Sequence, residues 1–453
     1  MRLIIIGAGP GGYETAVAAA RKGLEVTIIS DGPVGGTCLN EGCIPTKCFC
    51  RNAELLGDLE KASIFGIDDL QYRFDFQKVV SRKEDVVAQL RQGVEFLLGG
   101  KGITLLRGKA SFKDAHTVTV ASDDPTVDGT EVTGDYIIVA TGSYSASLPI
   151  PGADLEGVIT SKEMLELDAV PGRLCVIGAG VIGLEFASIF KSFGSEVNVV
   201  EFCKEILPRF DTDLAKRLKQ ALSKRGISIE TSAQVQSIEK TAEGLKVTYL
   251  KKEKTFEVVA DKVLMAVGRR PNVAAVNLAD VGIEFGPRGI VVDGDMRTSV
   301  PHIFAIGDVV GGYMLAHVAT FQGLRALAAI LGEPCEIDLS IVPAAVFTHP
   351  EAATVGKTED ECKAAGIPVK CLKSFFRANG KALSMDEPDG FVKLVVGEDD
   401  RILGCHLFGA HSADLVQEIA ALMNRKATLT EFQAVIHGHP TLGEVLQSAA
   451  HSA

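Results

Sequence analysis

The sequence contains no tryptophan and only 6 tyrosines, and it lacks an excess of basic residues. Its 46 Lys and Arg residues are outnumbered by 58 Asp and Glu residues, which gives a formal net charge of −12. Proteins that bind nucleic acid neutralise phosphates with basic surfaces. The charge balance therefore argues against nucleic acid as a partner.

Long apolar runs are also missing. No stretch approaches the roughly 18 uninterrupted apolar residues of a membrane-spanning helix, and the run at 174–184 is interrupted by glycines. Residues 1–6 lead directly into a glycine-rich turn, without the charged and apolar regions of a signal peptide. These features predict no membrane partner and a cytoplasmic location.

The chain is too long to be a single small binding module. Its 453 residues predict about three or four domains at roughly 150 residues each. Its 10 cysteines, in a chain without a predicted signal peptide, are not typical of a secreted disulfide framework. A cysteine pair is therefore expected to be catalytic or metal-binding, and spacing must decide between these uses.

Glycine is abundant, with 47 residues, and the glycines form one motif twice. Each G-x-G-x-x-G copy follows an apolar run and precedes a helical pattern, at Gly7-Ala8-Gly9-Pro10-Gly11-Gly12 and at Gly178-Ala179-Gly180-Val181-Ile182-Gly183. This context predicts two βαβ units whose glycines let the backbone approach a pyrophosphate at a helix N-terminus. Two bound dinucleotides are implied.

The residue after the second strand of each unit bears on which dinucleotide binds. In the second unit this residue is Glu201, a carboxylate that favours the ribose of NAD, and the adjacent Phe202 and Cys203 offer no cation for the phosphate of NADP. In the first unit the same position is Ser30. The neighbouring Asp31 is the candidate substitute there, so the ribose contact of the first unit is left open.

Turn residues divide the chain into four predicted segments, 1–147, 148–270, 271–337 and 338–453. The first two segments each contain one βαβ unit, and the third supplies a further strand with a Gly-Asp end at 298–308 that completes the first domain. The last segment lacks a glycine-rich loop and has strands followed by helices. The predicted fold class is α/β, with two Rossmann-like domains and a C-terminal α+β domain.

Cys38 and Cys43 follow the first βαβ unit with a spacing of C-x-x-x-x-C. On a regular helix this spacing is too long for a disulfide, so the turn must be distorted if the two pair, and Gly42 permits that. A helix N-terminus lowers the pKa of a thiol and favours thiol–disulfide exchange. In isolation, however, the pattern more often indicates two small buried side chains.

Further motifs follow in order along the chain, and together they resemble the flavin-dependent pyridine nucleotide-disulfide oxidoreductases of class I. Besides the two glycine motifs, they are GGTCLNEGCIPTK at 35–47, ATG at 140–142, AVGRRPN at 266–272, TSVPHIFAIGD at 298–308, LAH at 315–317, THPE at 348–351 and HGHPTLGE at 437–444. The set covers essentially the whole chain.

The resemblance implies FAD and NAD as cofactors, a redox-active Cys38–Cys43 disulfide, and a homodimer formed by segment 338–453. Cys43 would be the thiol nearest the flavin, and Cys38 would exchange with the substrate. Lys47 would lie near the flavin and pair with Glu185 on the nicotinamide side. No metal site is implied.

The resemblance also assigns the nucleotide sites. The FAD site would include Asp308 at the ribitol, the backbone of Leu315 and Ala316 at the flavin ring, Ala110 near the adenine, and Gly7, Gly9, Pro10, Gly12, Ser30, Asp31, Gly36, Thr37, Lys47, Ala140, Thr141 and Gly142. The NAD site would include Gly178, Gly180, Val181, Ile182, Gly183, Glu201, Val235, Gly268 and Arg269.

His439 would be the base that deprotonates the attacking dithiol, oriented by Glu444 and supplied by the other subunit. Charge logic supports this dyad, because a carboxylate on one imidazole nitrogen selects the tautomer and stabilises the cation. We expect Pro440 to start a helix whose first turn brings the carboxylate back. The other candidates are predicted to be structural: Cys48, Cys50, His317, His349 and His437.

The main functional hypothesis is oxidation of dihydrolipoamide to lipoamide with NAD+, with lipoyl-bearing domains of 2-oxo acid dehydrogenase or glycine-cleavage complexes as partners. Against glutathione-type substrates stand Val181, Glu201 without a neighbouring arginine, and Ala316-His317. The alternatives are a reductase of another small disulfide, and an NADH oxidase or metal reductase. A non-catalytic docking subunit is a further alternative, although docking requires neither the cysteine pair nor the dyad.

Overall fold

The computed structural model describes Met1–Ser452 and divides into two compact units. The first unit comprises Met1–Cys48, Gln77–Ala146 and Gly268–Leu339, and the second comprises Phe49–Phe76, Ser147–Val267 and Ser340–Ala453. The α-helices are Pro10–Arg21, Gly36–Glu41, Cys43–Glu60, Phe76–Leu98, Ser161–Met164, Val181–Ser192, Thr212–Lys224, Ala316–Leu331, Glu359–Ala364, Gly380–Ser384, Ser412–Asn424, Leu429–Gln433 and Glu444–Ala450.

A five-stranded parallel sheet organises the first unit. Its order is Ile303–Ala305, Tyr136–Val139, Arg2–Ile6, Glu25–Ser30 and Ile103–Arg107. The apolar side chains of each strand alternate between two buried clusters, one on each face, because a parallel sheet is covered on both sides. The smaller antiparallel strands of this unit are Lys109–Phe112, Thr117–Ala121 and Thr130–Thr133, Ser143–Ser145 with Arg269–Pro271, and Phe285–Gly286 with Gly289–Ile290.

A second five-stranded parallel sheet lies in the second unit. Its order is Ser228–Glu230, Glu196–Val200, Arg173–Ile177, Lys262–Met265 and Val158–Ile159. An antiparallel meander covers one face, with strands Gln234–Thr241, Gly244–Lys251 and Lys254–Ala260. The two sheets confirm the prediction of two Rossmann-like βαβ folds.

The C-terminal part of the second unit is an antiparallel sheet backed by helices. Its strand order is Ala344–Val346, Ala352–Gly356, Ile402–Phe408, Phe391–Gly397 and Val369–Phe375. Side chains from Ser412–Asn424 and Glu444–Ala450 join the strands in one buried cluster. This arrangement confirms the predicted α+β domain.

A buried ion cluster is centred on Lys393 of the antiparallel sheet. The Lys393 side chain is 2 % exposed, and its Nζ lies 3.0 Å from Asp211, 3.1 Å from Asp213 and 2.5 Å from Glu359. Burial alone would lower the pKa of Lys393, but the hydrogen bonds to Glu359 and Asp211 outweigh it and raise that pKa. Asp211 also caps helix Thr212–Lys224, so the cluster joins this helix to the sheet.

An exposed apolar groove lies beside the same antiparallel sheet. Ile64, Phe65 and Ile67 are more than half exposed, at 62 %, 56 % and 55 %. Phe65 and Ile67 line a cavity of about 360 Å³, whose lining also includes Lys61, Leu70, Met385 and Glu387. Within Met1–Ser452, no helix combines the length and apolar character needed to cross a bilayer.

Candidate active site

The cysteine motif sits at a break between two helices. Cys38 lies in the short helix Gly36–Glu41, and Cys43 begins the long helix Cys43–Glu60, which we call the redox helix. Gly42 between them has φ −138° and ψ −109°, which is not helical. A side chain at Gly42 would approach the Thr37 carbonyl oxygen to 2.8 Å. The predicted distortion of this turn is therefore confirmed.

The two cysteines are thiols in this structure and they interact. The Cys38 thiol donates a hydrogen bond to the Cys43 sulfur, and this bond is the largest influence on Cys38 and raises its pKa far above the ordinary value. Burial of Cys38 raises that pKa further, whereas the charge of Lys47 lowers it. Cys38 is only partly exposed, whereas Cys43 is exposed.

Two residues that the sequence did not single out support this motif. Asn40 donates from its amide to the carbonyls of Val34 and Gly36, at 3.0 and 2.9 Å, and accepts from Arg91. Tyr13 is half-buried, and burial, Glu14 and Cys38 together raise its pKa to about 12. Only their positions in the sequence could have pointed to these two residues, since Asn40 lies between the cysteines and Tyr13 follows the first glycine motif.

The first glycine motif leaves room for a dinucleotide. Gly7 has φ +113°, and a side chain there would collide with the Ala140 carbonyl. At Gly9, by contrast, a Cβ would meet no described atom within 4 Å. Helix Pro10–Arg21 begins there, and among described side chains none caps it. Unsatisfied N–H groups at an open helix N-terminus fit the pyrophosphate of FAD.

The second glycine motif repeats this geometry. A side chain at Gly178 would collide with the Ala266 carbonyl, whereas one at Gly180 meets nothing described within 4 Å. Helix Val181–Ser192, which we call the nicotinamide helix, starts at this open position and has no capping side chain in the described chain. The motif therefore fits the pyrophosphate of NAD.

The residues at the ends of the second strands of the two βαβ units differ. Glu201 is buried and accepts hydrogen bonds from the N–H groups of Ala179 and Cys203, at 2.5 and 2.6 Å, so its carboxylate is held at the glycine turn. Ser30 instead donates to the carbonyl of Gly32 at 3.0 Å, and Asp31 is exposed. The structure thus presents a fixed carboxylate at the second turn and a hydroxyl at the first.

A polar chain links Asp308 to Arg269 through a residue that the sequence did not reveal. The Ser143 hydroxyl donates to Asp308 at 2.5 Å and accepts from Arg269 at 2.7 Å, and Arg269 lies 3.8 Å from Asp308. Ser143 follows the ATG motif directly, which is the one signal that could have found it. The arrangement places Arg269, predicted at the NAD site, beside the predicted ribitol ligand Asp308.

The remaining predicted FAD residues lie on the same unit. Leu315 and Ala316 begin helix Ala316–Leu331, whose N-terminus is uncapped by any described side chain and offers backbone N–H groups. The loop before it is fixed by Gln322, which accepts from the N–H of Gly307 at 2.7 Å. Ala110 is buried in the sheet core of this unit, and Val235 in that of the other unit.

His439 and Glu444 form the predicted dyad, but by a different local route. His439 Nδ1 lies 2.9 Å from Glu444 Oε1, and the second carboxylate oxygen accepts from the N–H of Thr441 at 2.8 Å. The helix starts at Glu444, so the expectation that Pro440 starts it is wrong. The carboxylate folds back because it also accepts from the Thr441 N–H in the turn before its helix, and this bond lowers its pKa most.

The two units divide the predicted catalytic residues. Cys38, Cys43 and Lys47 belong to the first unit, and Glu185, His439 and Glu444 to the second. Glu185 lies on the nicotinamide helix, is 3 % exposed and accepts from the N–H of Phe347 at 3.0 Å. Throughout the described chain, no three His, Cys, Asp or Glu side chains are placed to hold a metal.

Comparison with protein families gives two matches. Residues 1–323 match the model for pyridine nucleotide-disulphide oxidoreductases, and residues 342–450 match the dimerisation domain of the same group. The chain is 40 % identical over 452 residues to a dihydrolipoyl dehydrogenase of Geobacillus stearothermophilus, covering 99 % of this chain and 95 % of that protein. It is 39 % identical over 452 residues to one from Staphylococcus aureus, covering 99 % and 96 %.

Solved structures agree over the same length. LpdA from Mycobacterium tuberculosis superposes with a TM-score of 0.91 at 28 % identity, covering 100 % of this chain and 99 % of that one. The HOCl-induced flavoprotein disulfide reductase RclA from Escherichia coli gives a TM-score of 0.87 at 29 % identity, with the same coverage.

Proposed function

Because the chain belongs to the pyridine nucleotide-disulfide oxidoreductase family, we propose that it oxidises dihydrolipoamide to lipoamide with NAD+. The family's cofactors are FAD and NAD. The dihydrolipoyl dehydrogenases that it resembles over its full length support this substrate class. Within the structure, the observation that carries the proposal is the interacting Cys38–Cys43 pair at the Gly42 break.

The substrate half-reaction uses residues of this chain. His439 Nε2 takes a proton from one substrate thiol, because the Glu444 carboxylate accepts from Nδ1–H and leaves Nε2 as the acceptor. The substrate thiolate attacks Cys38 of the disulfide, and Cys43 leaves as a thiolate. The second substrate thiol then attacks the mixed disulfide and its proton passes to the Cys38 sulfur, so that lipoamide leaves and Cys38 becomes a thiol.

Asp308 and the backbone of Leu315 and Ala316 would hold FAD, which would supply two-electron transfer between the reduced cysteine pair and NAD+, with one proton released for each NADH formed. The open glycine turns at Gly9 and Gly180 support dinucleotide binding on this chain. We place Glu185 on the nicotinamide side and Glu201 at the ribose of NAD. We also propose that the chain is organised as the four segments 1–147, 148–270, 271–337 and 338–453, in which segment 271–337 completes the FAD domain.

The chain acts as a homodimer, and we propose that the partner subunit's His439 serves each cysteine pair. The His439 side chain is 79 % exposed in the single chain, although its Glu444 partner is mostly covered, at 25 %. A base presented outward on a dimerisation domain is suited to act on a second subunit. Lipoyl-bearing domains of 2-oxo acid dehydrogenase or glycine-cleavage complexes are the proposed partners, and the cytoplasm is the proposed location.

The test is anaerobic mixing of the FAD-loaded homodimer with dihydrolipoamide and NAD+, with NADH absorbance as the readout. We expect NADH formation in the wild type and in Cys48→Ser, and none in Cys38→Ser. Flavin reduction by NADH without any response to the dithiol would overturn the substrate assignment. Screening other small disulfides, oxygen and metal ions as acceptors would then separate the remaining alternatives.

A further inference from the structure

The segment 347–349, which follows strand Ala344–Val346 of the antiparallel sheet, lies along the nicotinamide helix. The N–H of Phe347 donates to Glu185 at 3.0 Å, and the N–H of His349 donates to the Ser188 hydroxyl at 3.2 Å. Glu185 and Ser188 are three residues apart and share one helix face. Two matched hydrogen bonds therefore fix the segment against the helix.

Arg225 closes the far end of this contact. Its guanidinium donates to the His349 carbonyl at 2.7 Å, to Ser188 at 3.3 Å and to Ser192 at 3.0 Å. Ser188 is 3 % exposed, so the contact is shielded from water. The His349 end is consequently held by hydrogen bonds to Ser188 and Arg225.

At the Phe347 end the additional anchor is Cys50. This cysteine lies on the redox helix, about two turns after Cys43, and is 5 % exposed. Its thiol donates to the Phe347 carbonyl at 3.4 Å. The N–H and the C=O of Phe347 belong to different peptide groups, so Cys50 and Glu185 are coupled through the position of the Phe347 backbone.

We propose that Cys50 is a positioning residue that holds the Glu185 carboxylate through the backbone of Phe347. The inference rests on the proposed function, in which Glu185 faces the nicotinamide. A buried carboxylate whose hydrogen-bond donor moves must follow that donor or lose that bond, and a hydrogen bond lost in a buried site is costly. Hydride transfer is sensitive to misplacements of about 1 Å, so NADH chemistry should respond to the thiol while thiol exchange should not.

The experiment compares Cys50→Ala, Cys50→Ser and Cys48→Ala in the FAD-loaded homodimer. Cys48 is the matched control, because it is a cysteine of the same helix and is also buried, at 7 % exposure. The first readout is hydrogen exchange of the Phe347 amide. The second is rapid mixing, in which flavin reduction by NADH and by dihydrolipoamide are timed separately.

We expect Cys50→Ala to accelerate exchange at Phe347 and to slow reduction by NADH about three- to tenfold, a fraction of the loss that a full 1 Å displacement produces. Reduction by dihydrolipoamide should stay within twofold, Cys50→Ser should restore both readouts, and Cys48→Ala should match the wild type. Unchanged exchange, equal slowing of both half-reactions, or the same effect in Cys48→Ala would overturn the inference. If the wild type reacts with NADH but not with dihydrolipoamide, the substrate proposal fails, while Phe347 exchange and the NADH rate still decide the role of Cys50.

Discussion

His439 donates from Nδ1 to the Glu444 carboxylate at 2.9 Å, while the other oxygen of that carboxylate accepts from the backbone of Thr441. The carboxylate is therefore fixed before substrate arrives, and it fixes the imidazole in turn. One nitrogen is left to take a proton. This order of dependence, from backbone to carboxylate to imidazole, makes separate predictions for the two side chains.

His439→Ala should lower kcat for dihydrolipoamide oxidation by about 10²–10⁴-fold, the usual contribution of a general base. Glu444→Gln should cost less, because the amide oxygen still accepts from Nδ1 but no longer stabilises the cation. Flavin reduction by NADH should be unchanged in both. The exposed His451 near the C-terminus provides the control variant, His451→Ala, and an equal loss there would remove the dyad from the mechanism.

Gly9→Val and Gly180→Val should each abolish the binding of one dinucleotide. Neither glycine has a positive φ, and no described atom lies near the added Cβ, so the apoprotein should fold with little change in its urea midpoint. FAD content after purification should fall for Gly9→Val, whereas NADH binding, measured by calorimetry, should fall for Gly180→Val. Gly57→Ala, on the open side of the redox helix, should leave both unchanged. Loss of both cofactors in either variant would contradict the assignment.

Lys393→Met should destabilise the fold by about 3–5 kcal/mol, the cost of breaking a buried ion pair from one side. The reason is that Asp211, whose side chain is 1 % exposed, loses the cation that pairs with it. Lys240→Met removes a lysine whose partner Glu156 is 86 % exposed, and it should leave the unfolding midpoint nearly unchanged. Denaturant unfolding measures the stability of both variants. Similar losses of stability in the two would mean that burial of the ion pair does not determine its contribution.

Asp213→Asn should weaken the fold at neutral pH but not in strong acid. Lys373 and Lys393 lower the pKa of Asp213 from 3.8 to about 2, with the Lys373 hydrogen bond the largest cause. Because the folded-state pKa is depressed, this stabilisation is fully present above the unfolded value and is lost as pH falls from about 4 towards about 2. The urea midpoints of wild type and variant should converge across that range. Asp68→Asn, at an exposed carboxylate, should show no such convergence.

Phe65→Asp should weaken the homodimer. We expect the partner subunit to cover the apolar groove, because its lining continues from Phe65 to Met385, which lies inside the segment that matches the dimerisation domain. Sedimentation should show dissociation, and dihydrolipoamide oxidation should fall together with the dimer. Phe96→Asp changes a phenylalanine that is 84 % exposed on another helix and serves as the control. An intact dimer in Phe65→Asp would contradict this placement.

Much of the fold could be predicted because its strongest signals are local. Each βαβ unit is formed by about 30 consecutive residues, so its pattern can be read locally. The break at Gly42 follows in the same way from the residues of one turn. The Ser143 bridge between Asp308 and Arg269 could not be found in this way, because its members are far apart in sequence and meet only after the sheet forms.

The prediction of the residue at which the last helix starts was wrong for a related reason. Proline is well suited to the first turn of a helix, so Pro440 was the natural expectation. The helix begins at Glu444 instead, since its carboxylate satisfies the Thr441 N–H as well as His439. Cys50 was expected only to pack, because a thiol's hydrogen bond to a backbone carbonyl from another segment leaves no trace in sequence spacing.

The strand Ile303–Ala305 pairs with Tyr136–Val139, although residues of the second unit separate them along the chain. On a ribosome, the sheet that begins with the first residues therefore cannot close until about two thirds of the protein has been made. Asp308 and helix Ala316–Leu331 emerge later still. The nascent chain must keep an unfinished sheet edge exposed meanwhile, so capture of the flavin belongs to the end of synthesis rather than to its beginning.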